Sequence, residues 1–89
     1  MAWTIELTGA ATRQLERLDK KAGRRIRKFL QERLAPMDNP RSIGEALQGP
    51  RLGEFWKYRV GDYRLIARIE VDRVVVLILK VGHRREIYR

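Results

Sequence analysis

Trp56-Lys-Tyr-Arg-Val-Gly-Asp-Tyr-Arg-Leu-Ile-Ala-Arg68 is the stretch that organises this chain. Apolar side chains alternate with cations on both sides of Gly61-Asp62, the period of two expected of strands that bury one face. A two-residue loop at Gly61-Asp62 pairs Val60 with Tyr63, Arg59 with Arg64, Tyr58 with Leu65 and Lys57 with Ile66. Successive side chains point to opposite faces, so Trp56, Tyr58, Val60, Tyr63, Leu65 and Ala67 share the core side. Lys57, Arg59, Arg64 and Arg68 then stand on the other side, with only Phe55 and Ile66 among them. Arg59 faces Arg64, and opposed like charges destabilise a sheet by something on the order of a few tenths of a kcal/mol unless an anion lies between them. A slip of one residue would send one strand's cations into the core, which the cost of burying charge forbids. The pattern favours an anion-binding sheet face over cation stems that merely shield apolar surface.

Beyond this hairpin, β-favouring runs continue after a break around Val71 to Arg73, so residues from Glu54 onward read as an antiparallel meander. The apolar strand Val74 to Leu79 is followed by Lys80-Val-Gly-His-Arg-Arg-Glu-Ile-Tyr-Arg89. Gly82 permits a sharp change of direction, which would put His83, Arg84 and Arg85 just past the strand end, where functional residues gather. Arg84 and Tyr88 would then join the basic face. His83 is the sole histidine, so neither a histidine acid–base pair nor a multi-histidine metal site is available, and a backbone-anchoring or surface role is expected.

Upstream, Trp3, Ile5 and Leu7 alternate with Thr4 and Glu6 in a short strand over Met1 to Leu7. Thr8 is a natural helix cap, and Ala11, Leu15 and Leu18 recur at helical spacing. After Asp19 and Lys20 a second helix carries Ala22, Ile26, Phe29, Leu30 and Leu34 on one stripe and ends before Pro36. This tight helical hairpin needs a flat apolar partner, which the sheet supplies. Met37 to Gly53, rich in Gly and Pro, reads as a loop that Ile43 and Leu47 pin to the core. The fold class is α+β, and 89 residues predict one domain over 1–89.

Composition narrows the function. Lys and Arg number 20 against 11 Asp and Glu, a formal charge of +9, which points to a polyanionic partner. There is no cysteine, so disulfides and thiolate metal sites are excluded and a cytoplasmic setting is expected. MAWTIELTG lacks a basic leader region, and the longest apolar run is too short to span a bilayer, so no membrane partner is expected. The carboxylates Glu54, Asp62, Glu70, Asp72 and Glu86 are scattered near turns, and neither a phosphate-cradling Gly-rich loop nor a nucleophile elbow occurs; no metal and no cofactor are expected.

Leu47-Gln-Gly, Trp56-Lys-Tyr-Arg-Val-Gly-Asp-Tyr-Arg-Leu and Val81-Gly-His-Arg-Arg-Glu-Ile-Tyr, at this spacing, resemble the RelE branch of the RelE/ParE toxin superfamily over essentially the whole chain. The resemblance implies the RelE-like fold: an N-terminal strand and two-helix hairpin packed on a small, mainly antiparallel sheet. It implies a toxin of a type II toxin–antitoxin system that enters the A site of the 30S ribosomal subunit and cuts mRNA. It also implies neutralisation by a RelB-like antitoxin, with operator DNA contacted only as the toxin–antitoxin complex. The family's active-site positions fall on Lys57, Arg59, Arg64, Arg84 and Tyr88, and Arg68, Lys80 and Arg85 extend the expected RNA contact.

A metal-independent endoribonuclease needs a base for the ribose 2′-OH, cations for the phosphorane-like transition state and help for the 5′ leaving oxygen. Crowding by Arg59 and Arg64 is expected to ease proton loss from Lys57, the candidate base. Arg59 and Arg64 would clamp phosphate, Arg84 would assist the leaving oxygen, and Tyr88 would stack on the displaced nucleotide. Relatives often carry Lys two positions after Lys57; Arg59 keeps the charge without a titrating base. Two other readings share the basic character: a ParE-like DNA gyrase inhibitor, which generally lacks this full set, and a non-catalytic nucleic-acid-binding module.

Overall fold

The computed structural model describes residues 2–47 and 55–87. Strand β1 (Thr4–Leu7) leads into helices α1 (Gly9–Arg17) and α2 (Lys20–Lys28), and α2 continues as a wider π turn over Phe29–Leu34. Then come the two-residue strand β2 (Glu45–Ala46), the hairpin β3 (Trp56–Val60) and β4 (Tyr63–Glu70), and β5 (Val75–His83). The strand order is β1-β5-β4-β3-β2, all antiparallel except the parallel pair β1 and β5.

Local chemistry sets the helix boundaries. Thr8 Oγ1 accepts the Ala11 amide at 3.1 Å and donates to the Leu79 carbonyl at 3.2 Å, so the cap of α1 is also tied to β5. Asp19 caps α2 by accepting the Ala22 amide at 2.7 Å, a role its position just before the expected second helix leaves unread. Ala11, Leu15, Ile26, Leu30 and Leu34 from the helical side meet Tyr58, Leu65, Ala67, Val76, Ile78 and Val81 of the sheet in one buried cluster. The helices therefore cover one face of the sheet and leave the other, the outer face, for the cations.

Two expectations are corrected. Glu45 and Ala46, read as loop, pair with Lys57 and Trp56 as an edge strand; two residues are too few to show alternation. Gly82 does not turn the chain, because β5 runs on to His83 and Gly82 pairs with Arg64. Its missing side chain serves packing instead: a Cβ there would lie 3.2 Å from Ile87 Cδ1. The hairpin register, by contrast, is the one expected from Gly61-Asp62, with Gly61 at φ +60°. Among the described residues no helix is long and apolar enough to cross a membrane.

Candidate active site

The outer face is a grid set by strand register. One row runs from Arg59 through Arg64 to Gly82, and the next from Glu45 through Lys57 and Ile66 to Lys80. Rows two residues apart along a strand lie roughly 7 Å from one another and neighbouring strands roughly 5 Å. Lys57, Arg59, Arg64 and Lys80 therefore converge on one patch. Arg68 falls a further row along β4, opposite Leu77, where its Nε is 3.9 Å from Glu70. It stands at the margin of the patch.

The sequence reading missed Glu45. Its carboxylate lies 2.8 Å from Lys57 Nζ, and the two strands pair these residues directly. The chain before it is pinned to β3: the buried Tyr58 hydroxyl donates to Pro40 O at 2.6 Å and Trp56 Nε1 donates to Ile43 O at 2.7 Å. Just past these anchors Gly44 adopts φ +79°, and a Cβ there would come within 2.4 Å of Lys57 O. Burial holds the Tyr58 phenol well above its ordinary range. The hydrogen bond from Lys57 and then its charge hold Glu45 below the usual carboxylate range. Lys57, expected to be crowded by Arg59 and Arg64, therefore also meets an adjacent anion.

Arg64 also differs from the open clamp expected. It is 9% exposed, and its Nη1 donates to the carbonyls of Gly61 and Tyr63, both at 2.9 Å. These carbonyl dipoles answer part of the repulsion with Arg59, which is exposed. One nitrogen of the Arg64 fork is therefore committed to its own turn.

The same turn receives Arg84. Its amide donates to Asp62 O at 2.8 Å, and its Nε lies 3.8 Å from Asp62 Oδ1. Arg64 and Arg84 consequently flank one hairpin loop. His83 has the backbone-anchoring role: Nδ1 accepts the Arg85 amide at 3.2 Å, its carbonyl accepts the Glu86 and Ile87 amides, and its ring meets Tyr63 edge-on. This turn drops Ile87, 2% exposed, onto Gly82. Arg85 is exposed on the turn and Lys80 half-buried in β5. Tyr88 lies outside the described residues. Among the described residues no three His, Cys, Asp or Glu side chains are grouped to hold a metal.

A three-strand cationic patch under a capped C-terminal turn, backed by a helical hairpin, defines a class of small basic proteins. Residues 5–88 match the family model described as ParE toxin of type II toxin–antitoxin system, parDE. Toxin RelG of Mycobacterium tuberculosis is 34% identical over 89 residues, covering 100% of this chain and 99% of that protein. A chain in the RelBE2 toxin–antitoxin complex of Mycobacterium tuberculosis superposes with a TM-score of 0.84 at 29% identity, covering 97% and 95% of the two chains. One in the archaeal RelE–RelB complex of Pyrococcus horikoshii OT3 gives 0.74 at 27% identity, covering 97% and 99%. The chain belongs to the RelE/ParE superfamily of type II toxins and is of the RelE type.

Proposed function

We propose that this protein is a ribosome-dependent mRNA endoribonuclease that acts in the cytoplasm, in the A site of the 30S subunit, and is held inactive by a RelB-like antitoxin. The observation that carries this reading is the arrangement of Lys57, Arg59, Arg64 and Arg84 around one face and one turn, an array matched to a phosphodiester. The relatives crystallised as RelE–RelB and RelBE2 complexes support the antitoxin as partner.

In the proposed reaction Lys57, as the free amine, takes the proton of the ribose 2′-OH. The resulting oxygen attacks the adjacent phosphorus and the bond to the 5′ oxygen breaks; that oxygen takes a proton from water, leaving a 2′,3′-cyclic phosphate, a 5′-OH and Lys57 as the ammonium. Arg59 and the uncommitted part of Arg64 neutralise the equatorial oxygens, and Arg84 stabilises the charge on the departing oxygen. Tyr88 supplies a stacking surface for the displaced base, while Arg68, Lys80 and Arg85 hold flanking phosphates. Side-chain cations supply the charge neutralisation in this reading.

Primer extension on translating ribosomes tests the proposal. Wild type is expected to produce cuts only when ribosomes are present, and Arg84→Ala to slow single-turnover cleavage by about a hundredfold or more. Cleavage undiminished in that variant would overturn the site. The description of the matching family model favours a second reading, a ParE-like gyrase inhibitor. Growth arrest persisting in Arg84→Ala, with inhibition of gyrase supercoiling, would establish it. Binding of RNA without cuts would establish a non-catalytic module.

A further inference from the structure

The outer face does not contain all the exposed cations near the hairpin. A cleft of about 330 Å³ opens between the C-terminal half of α2, its π continuation and the β3–β4 turn. Arg25, Lys28, Arg33 and Arg59 line it, with Glu32 the one acidic residue among the described lining and Phe29 beside them. All four cations are exposed, and among the described residues none of them forms an ion pair.

Two features hold the cleft in shape. Phe29 packs its ring against buried Tyr58 with centroids 5.9 Å apart, fixing the π turn to β3. The Arg25 guanidinium lies over Gly61, where a Cβ would meet Nη1 at 2.6 Å, so the bare glycine lets the helix side chain rest against the hairpin loop. The π turn, with bonds five residues apart, brings Lys28 and Arg33 to the same side. Arg59 belongs to both surfaces, because β2 reaches only Trp56 and Lys57 and leaves the Arg59 end of β3 at the sheet's margin among the described residues.

We infer that this cleft seats a backbone phosphate of the RNA strand next to the scissile one, with the strand bending around Arg59 from the outer face to α2. The inference rests on the outer face being an RNA site. It adds a phosphate subsite on the helical side of the molecule. Three guanidinium forks and an ammonium, carrying far more positive than negative charge, suit a phosphodiester. An acidic peptide would need apolar anchors as well, and among the described residues only Phe29 and Val60 line the cleft with apolar side chains.

The probe is a fluorescein-labelled 2′-O-methyl single strand about 16 nucleotides long, bound without ribosomes and followed by anisotropy from about 0.05 to 0.2 M KCl. It has no free 2′-OH, so it reads binding whether or not the protein cleaves RNA. Lys28→Ala/Arg33→Ala is expected to weaken binding about tenfold and to flatten the plot of log K against log salt by about 0.7, the contribution of one lost single-strand phosphate contact. Lys20→Ala/Lys21→Ala, an equal charge change at the far end of α2, is expected to stay within about twofold of wild type. Indistinguishable behaviour of the two variants overturns the subsite, as does absence of wild-type binding at the lowest salt. Loss of affinity by Lys28→Ala/Arg33→Ala for poly-glutamate but not for the RNA strand would also overturn it and mark a protein interface. Absence of ribosome-dependent cleavage by the wild type, with the difference in salt slope between the two variants intact, would overturn only the nuclease reading.

Discussion

The Glu45 carboxylate stands 2.8 Å from the Lys57 ammonium, contributed by a two-residue edge strand that pairs these two positions. The side chain proposed as base thus meets an anion before any substrate arrives. In the proposed reaction RNA phosphate and Glu45 compete for the same cation, so the pair would temper the patch before substrate binds.

Removing that anion is expected to be visible in pH dependence. With Glu45→Gln the ascending limb of the single-turnover cleavage rate moves to lower pH, because the ammonium loses the charge that stabilises it. For Glu45 itself the sign is that of a depressed carboxyl: the pairing is present above the ordinary carboxylate range and lost as pH falls through its lowered value. An unmoved profile would remove Lys57 as the titrating group.

Gly44→Ala is expected to destabilise the protein by about 3 kcal/mol or more, combining strain at positive φ with a backbone collision. The colliding atom is Lys57 O, which cannot rotate away, and Trp56 Nε1 lies 2.7 Å from the same point. Urea unfolding measures the loss, and the Trp56 indole N–H resonance reports whether its bond to Ile43 O is broken.

Ile87→Ala is expected to lower stability by about 2 to 4 kcal/mol, the range for truncating a fully buried aliphatic side chain. The Glu86 and Ile87 amides, which donate to His83 O at 2.8 and 3.0 Å, should then exchange with solvent faster than those of β4. Equal protection in the variant would show that the turn holds without its apolar contact.

Val74 caps the turn at Val71–Arg73 in the left-handed conformation, φ 55° and ψ 46°, which a β-branched residue adopts at a cost. Val74→Asn is expected to stabilise by about 1 kcal/mol and to raise the melting temperature by about 4 to 8 °C. A fall in melting temperature would mean that the half-buried Val74 side chain contributes more than its backbone conformation costs.

The hairpin and the helices were legible because each is written in local periodicity. Gly61-Asp62 set the register of five residue pairs, and the apolar stripe through Ile26, Leu30 and Leu34 identified the face that meets Tyr58 and Leu65. Glu45 was not legible, since its partner lies across a Gly- and Pro-rich segment and its strand is too short to alternate. The Arg64 hydrogen bonds were also invisible: strand alternation gives the face a side chain leaves from, and a long flexible stem then decides where the guanidinium ends. Gly82 was read as a hinge because its real reason, room for Ile87, depends on a turn that doubles back.

The parallel pairing of β1 with β5 joins Thr4 to Val75 and Leu7 to Ile78, while the Thr8 hydroxyl bonds a carbonyl 71 residues away. Such contacts carry a large loop-closure cost, so they form late. A nascent chain still holding β5 inside the exit tunnel has its first strand without a neighbour and its cationic rows without their third strand. Both gaps close with the same strand: β5 supplies the neighbour of β1 and the third strand of the cationic rows.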